Sequence, residues 1–119
     1  MKYRRFEDLP VWQDAIELAV RIFALTARPN FKGYGSLADQ IERAVVSISN
    51  NIAEGFERGT TPELLTFLYI SRGSSGETRP LLCLIDRLPG FEEQKAFLGN
   101  SVPGPALRKL RHPRLAVFD

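Results

Sequence analysis

Apolar positions recur at helical spacing over about the first ninety residues of the chain. Leu37, Ile41, Ala44, Val45, Ile48, Ile52 and Phe56 fall on one side of a helix at about 100° per residue, which is a core-facing pattern. The same stretch carries a second stripe. Gln40, Arg43, Ser47, Asn51, Glu54 and Arg58 occupy an adjacent arc of roughly 80°, a ladder of hydrogen-bonding groups three or four residues apart. Such a ladder suggests polar contact with something specific, although no reacting centre can be read from it.

The flanking segments carry their own helix signals. Asp8 reads as a cap and Pro10 sits near a first turn, where its missing N–H costs nothing, so a first helix is expected to about Ala27. Trp12, Ile16, Ala19, Ile22 and Phe23 form its expected buried face, widened by Ala15 and Leu18, with Asp14, Glu17 and Arg21 outward. Pro29, Gly33 and Gly35 then mark a loop. Ser36 and Asp39 resemble a capping box for the second helix, which should last to Arg58 or Gly59. Thr60, Thr61, Pro62 and Glu63 announce a third: a hydroxyl cap, an early proline and an acid in the first turn.

Leu64, Leu65, Phe67, Leu68, Tyr69 and Ile70 are apolar nearly all round, so this part of the third helix is expected to be covered on several sides. Gly73, Ser74, Ser75 and Gly76 are small enough to let another helix approach closely. Pro80 should kink or end the helix, leaving Leu81 to Leu88 as a continuation or a separate piece. Phe91 to Leu98 reads as two helical turns, Gly99 to Pro105 as a loop, and Ala106 to Arg111 as a last turn or two. With no convincing strand, the pattern predicts an all-α fold: an up-down-up-down four-helix bundle over residues 1–98, its fourth helix short or irregular, followed by an irregular basic tail over 99–119.

Composition narrows the function classes. The 119 residues, 44% hydrophobic and 25% charged, suit one small globular domain that self-association would help to stabilise. A lone cysteine, Cys83, allows no intrachain disulfide and no thiolate metal cluster. It sits among Leu82, Leu84 and Ile85, as a small buried apolar group would. No signal-peptide-like or membrane-spanning apolar run is present, which points to the cytoplasm. Residues 1–107 hold 12 basic and 13 acidic side chains while 108–119 hold 4 and 1, so the formal charge of +2 resides in the tail. Arg108, Lys109, Arg111 and Arg114 form a short cluster around His112, read as a solvated flexible terminus or as a contact for phosphates or acidic protein.

The segments FEDLPVWQDAIEL (Phe6 to Leu18), QIERAVVSISNNIAEGFERG (Gln40 to Gly59) and ELLTFLYISRGSSGET (Glu63 to Thr78) resemble the four-helix bundle family labelled S23 or 23S rRNA intervening-sequence proteins. RAVVSISNNIAEG, Arg43 to Gly55, is the most specific part of the likeness. The resemblance implies a small cytosolic bacterial protein that assembles as a homopentamer. Its ribosomal label comes from genes lying within inserts of the large ribosomal RNA gene. A related group resembles the accessory proteins of diversity-generating retroelements, basic pentameric barrels that bind nucleic acid and a polymerase. The present chain departs from the pattern where Gly99, Pro103, Gly104, Pro105 and Pro113 interrupt a long fourth helix, and its body lacks the strong positive charge of the retroelement group.

Three functional readings follow. The first is a non-enzymatic oligomeric scaffold or interaction protein whose chief partner is itself, with Arg43, Ser47, Asn51, Glu54 and Arg58 setting helix packing or a subunit interface. The alternative is a nucleic-acid-binding accessory protein that uses Lys2, Arg4, Arg5, Arg108, Lys109, Arg111 and Arg114, multiplied around a ring. An enzyme is disfavoured, because no base, nucleophile or metal-ligand set accompanies Asn51 and Glu54. No cofactor, metal, membrane partner or small-molecule substrate is expected. Lys32 to Ser36, KGYGS, precedes a helix but lacks the rest of a phosphate-loop motif. His112 has no ligand set around it.

Overall fold

The computed structural model describes residues 2–91 and 104–118. These form helices with no strand among them: α1 (Pro10–Thr26), α2 (Gly35–Glu57), α3 (Thr61–Arg87), α4 (Pro105–Arg108) and α5 (Pro113–Val117), with 3-10 turns at Phe6–Asp8, Pro29–Phe31 and Lys109–Arg111. The molecule is elongated, 46 × 22 × 19 Å. Its long axis is close to the length of α3, whose 27 residues span about 40 Å at 1.5 Å each. No helix of the described residues is long and apolar enough to cross a membrane.

The α2–α3 pair is the best-packed part of the molecule. Contacts run Ser47 to Ser74, Ile48 to Ser71 and Gly55 to Leu64, so numbers rise on one helix as they fall on the other and the two are antiparallel. Ile41, Ala44, Val45, Ile48 and Ile52 face the core from α2, joined by Leu64, Leu68, Leu82 and Ile85 from α3. Burying each of the larger aliphatic side chains is worth roughly 1.5–3 kcal/mol. Small residues set the spacing. A Cβ on Gly55 would lie 2.6 Å from the Cβ of Phe67 and 3.3 Å from the Cα of Leu64, both too rigidly placed to yield. The hydroxyl of Ser71, fully buried, donates to the Ile48 carbonyl at 3.0 Å, and Thr78, also fully buried, donates to the Ser74 carbonyl at 3.1 Å. The close approach thus occurs at Gly55. Gly73 and Gly76, expected to serve that purpose, face open space among the described residues.

Three other local expectations change. The buried stripe of α1 is Val11, Ala15, Leu18, Ala19, Ile22 and Leu25, while Trp12 and Ile16 are half-buried and Phe23 is 44% exposed. Positions 11, 15, 18, 22 and 25 repeat at alternating four- and three-residue steps, so the core seam follows aliphatic spacing, and the aromatics lie beside it. Asp8 belongs to the 3-10 turn, Leu9 stands at the cap position, and the start of α2 has Tyr34 at its cap with no side-chain bond, so neither Asp8 nor Ser36 caps a helix. Thr60 does: its hydroxyl oxygen accepts from the Glu63 N–H, the first half of a capping box, and its O–H donates to the Glu63 carboxylate. α3 then continues through Pro80 to Arg87.

The C-terminal segment packs back onto the bundle. Leu107, Leu110, Pro113 and Val117 are buried, and the segment touches both α1 and α3. Asp14, expected to point outward, instead accepts a hydrogen bond from the Ala106 N–H at 3.3 Å, so a carboxylate of α1 sits at the start of α4. The solvated terminus read from the sequence holds for its basic side chains and fails for its apolar ones. The two turns expected through Leu98 and the loop from Gly99 lie mostly outside the described residues; within the first, Phe91 is buried and meets Phe31 edge-on at 4.7 Å.

Candidate functional site

The polar stripe of α2 lies along the edge of the α2–α3 seam. Ser47 is shared three ways: its hydroxyl meets the Ser74 hydroxyl across the seam at 2.8 Å, and the Asn51 amide donates to its backbone carbonyl at 2.8 Å and to its hydroxyl at 3.0 Å. One turn on, Arg58 donates to Glu54 at 3.1 Å, lies 3.6 Å from Glu63 and stacks over the Phe67 ring at 5.2 Å. These are exposed pairs, worth about 0–1 kcal/mol each, so they guide the α2–α3 turn more than they stabilise it. Ser47 and Arg58 therefore reach α3 within the chain, while Asn51 and Glu54 bond along α2. Gln40 and Arg43 end the stripe as walls of a groove.

That groove, about 790 Å³, lies between α2 and α3 and is lined by Arg43, Ala44, Ser47, Ser74, Glu77, Leu81 and Leu84 among others. A second, about 460 Å³, lies on the other flank of α2, where Phe23 and Val46 sit with Asp39, Glu42 and Arg43. Beside it Thr26 donates to the Glu42 carboxylate at 2.6 Å, tying the end of α1 to the start of α2. Arg43 lines both grooves, so the stripe divides two half-apolar surfaces. No group of three His, Cys, Asp or Glu side chains among the described residues could hold a metal ion.

The basic residues named from the sequence do not form one patch. Arg5 is committed to Glu7, whose carboxyl that hydrogen bond holds below its ordinary pKa, and Lys2 lies over the Tyr3 ring at 5.3 Å. Arg4 is exposed, as is Lys109, and Arg114 stacks on Phe118 at 5.5 Å. Arg108 and Arg111, in contrast, line a third cleft of about 460 Å³ with Arg72 and Arg79 of α3. Sequence reasoning missed Arg72 and Arg79. Their seven-residue spacing places them on one face of a helix, but what they face depends on how the C-terminal segment docks. Cys83, expected to be buried, is exposed on α3. His112 is exposed at the start of α5, and Gly33 of the KGYGS loop turns with φ of 93°.

No curated protein and no solved structure matches the chain. Gly55, buried where α2 crosses α3, and the Ser47–Asn51 pair are residues of the RAVVSISNNIAEG stretch, which the fold thereby explains as a close-packed seam with a polar edge. The family model for the 23S rRNA-intervening sequence protein matches residues 7–98, and the chain belongs to that family.

Proposed function

We propose that this protein is a non-enzymatic cytoplasmic scaffold that works as a closed homo-oligomer, with five subunits as the family resemblance implies. Within each subunit α1, α2 and α3 alternate in direction, and the C-terminal segment, lodged against α1 and α3, takes the place of a fourth helix.

The observation that carries this reading is a pair of exposed apolar faces. On α3, Tyr69, Ile70 and Leu84 fall within an arc of roughly 100° on the side away from the buried Leu64, Leu68 and Leu82. Tyr69 is 50% exposed, although the sequence around it is apolar enough to be covered on several sides. The other face combines Val20 and Phe23 of α1 with Val46 of α2. Tyr69 and Ile70 adjoin, Leu84 lies about 21 Å further along the same side of α3, and Phe23 and Val46 line one groove. Apolar side chains exposed together on a helix face are what an interaction surface in a soluble protein is built from. Two different faces, each able to cover the other on a neighbouring copy, suit a heterologous contact, which makes a ring when the rotation from copy to copy closes. Arg43, between the two grooves, and the Ser47–Asn51 and Glu54–Arg58 pairs then give the contact its register.

The test is to place a charge on one face at a time, Phe23→Asp or Leu84→Asp, and to measure mass by sedimentation. Each variant should fall to monomer with its helix content intact, and an equimolar mixture of the two should recover only dimers through the remaining good pair of faces. Variants that keep the mass of the parent would refute the assignment of both faces.

A further inference from the structure

The cleft between α3 and the C-terminal segment holds Arg72, Arg79, Arg108 and Arg111, with no carboxylate among the described residues of its lining. Two segments far apart in sequence bring these four guanidinium groups to one concavity of about 460 Å³. None of the four is ion-paired with a carboxylate among the described residues. Arg72 is held in place by its stacking over the Tyr69 ring at 4.8 Å and a long contact, 3.5 Å, from its Nη1 to the Arg111 carbonyl. Arg72 and Arg79 stand about 10 Å apart along the α3 axis, at 1.5 Å per residue.

Four like charges gathered in one cleft repel one another, and an anion relieves that repulsion. Arginine is the side chain best suited to phosphoryl oxygens, because its planar fork donates two parallel hydrogen bonds. The other described residues of the lining are Ser75, Gly76, Pro80, Leu107 and Leu110, with no aromatic ring among them on which a base could stack. Recognition of single-stranded nucleic acid relies on such rings, and the cleft has the volume of a small-molecule site. We propose that this cleft binds a small oligophosphate anion, which bridges α3 and the C-terminal segment. All four arginines belong to one subunit, so the site does not need a second copy to supply its cations.

Calorimetric titration of the full chain with sodium tripolyphosphate, at fixed ionic strength, tests this. The expected result is saturable binding with one site per chain, weakened at least tenfold by Arg79→Gln with Arg108→Gln and unchanged within twofold by Lys32→Gln in a remote loop. Arg79→Lys with Arg108→Lys should give an intermediate affinity, since charge is kept and the fork is lost. Helix content by circular dichroism guards against misfolded variants. Bound tripolyphosphate should also slow tryptic cleavage after Arg108 and Arg111. Binding that is equal in the parent and the Arg79→Gln, Arg108→Gln variant, or no saturable binding at all, would overturn the proposal. A single-stranded oligonucleotide that needs the same arginines but is not displaced by tripolyphosphate would overturn it too, by assigning the cleft to polymeric phosphate.

Discussion

The two faces that α3 packs against the rest of the chain are built differently. Against α2 it packs through Gly55, Ser71 and Thr78, with backbone so close that there is no room for one more methyl group. Against the C-terminal segment it packs through isolated apolar anchors, Leu110 and Val117, and leaves a cleft lined with arginines beside them. The first contact joins helices adjacent in sequence through a connection of only three residues, Arg58 to Thr60, and is specified by small side chains. The second is made by short helices that cannot stand alone, because elements of four and five residues lie far below the length at which a helix persists in water. Tight packing fixes the frame, and the looser contact leaves room for a ligand.

The comparison breaks most sharply at Gly55. Gly55→Ala should destabilise the chain by about 2 kcal/mol in urea unfolding, because overpacking against Phe67 and Leu64 outweighs the gain in helix propensity. Next comes Leu110→Ala, where a lost aliphatic anchor costs about 2 kcal/mol locally. Hydrogen exchange should rise over residues 105–118 while the exchange of α2 and α3 hardly changes. Ser71→Ala, which removes a buried hydroxyl while the Ile48 carbonyl keeps its helical partner, should cost about 1 kcal/mol by the same unfolding assay. The smallest effect has the opposite sign. Gly76→Ala, in an exposed helical position with nothing among the described residues near its new methyl group, should stabilise by about 0.5–1 kcal/mol. Equal destabilisation by Gly55→Ala and Gly76→Ala would erase the distinction between the seam and the open side of α3.

Much of the frame is legible in the residues. The buried stripe of α2 is where its periodicity puts it, and Thr60 to Glu63 announce the start of α3, because capping and amphipathic spacing are local effects. The face of α1 is misread by weighting Trp12 and Phe23 as core aromatics, when the regular spacing of Val11, Ala15, Leu18, Ile22 and Leu25 decides the seam. Cys83 stands exposed for a similar reason, since apolar neighbours in sequence do not share a helix face. The α2 polar stripe is visible as spacing, but its bonds to Ser74 and Glu63 depend on the register of α3. The arginine cleft is hidden altogether. It exists only because residues 105–111 fold back beside positions 72 and 79, a contact between distant segments that no local pattern encodes.

The proposal that α3 and the α1–α2 face join copies of this chain is tested most directly by absolute mass, from light scattering during size exclusion at low and high salt. A single species of about 67 kDa, five chains of 13.4 kDa, that persists at both salt concentrations is the predicted result, because apolar faces hold the ring. A monodisperse 13.4 kDa species at both would contradict it, leaving Phe23, Val46, Tyr69 and Leu84 as exposed residues with no copy to cover them.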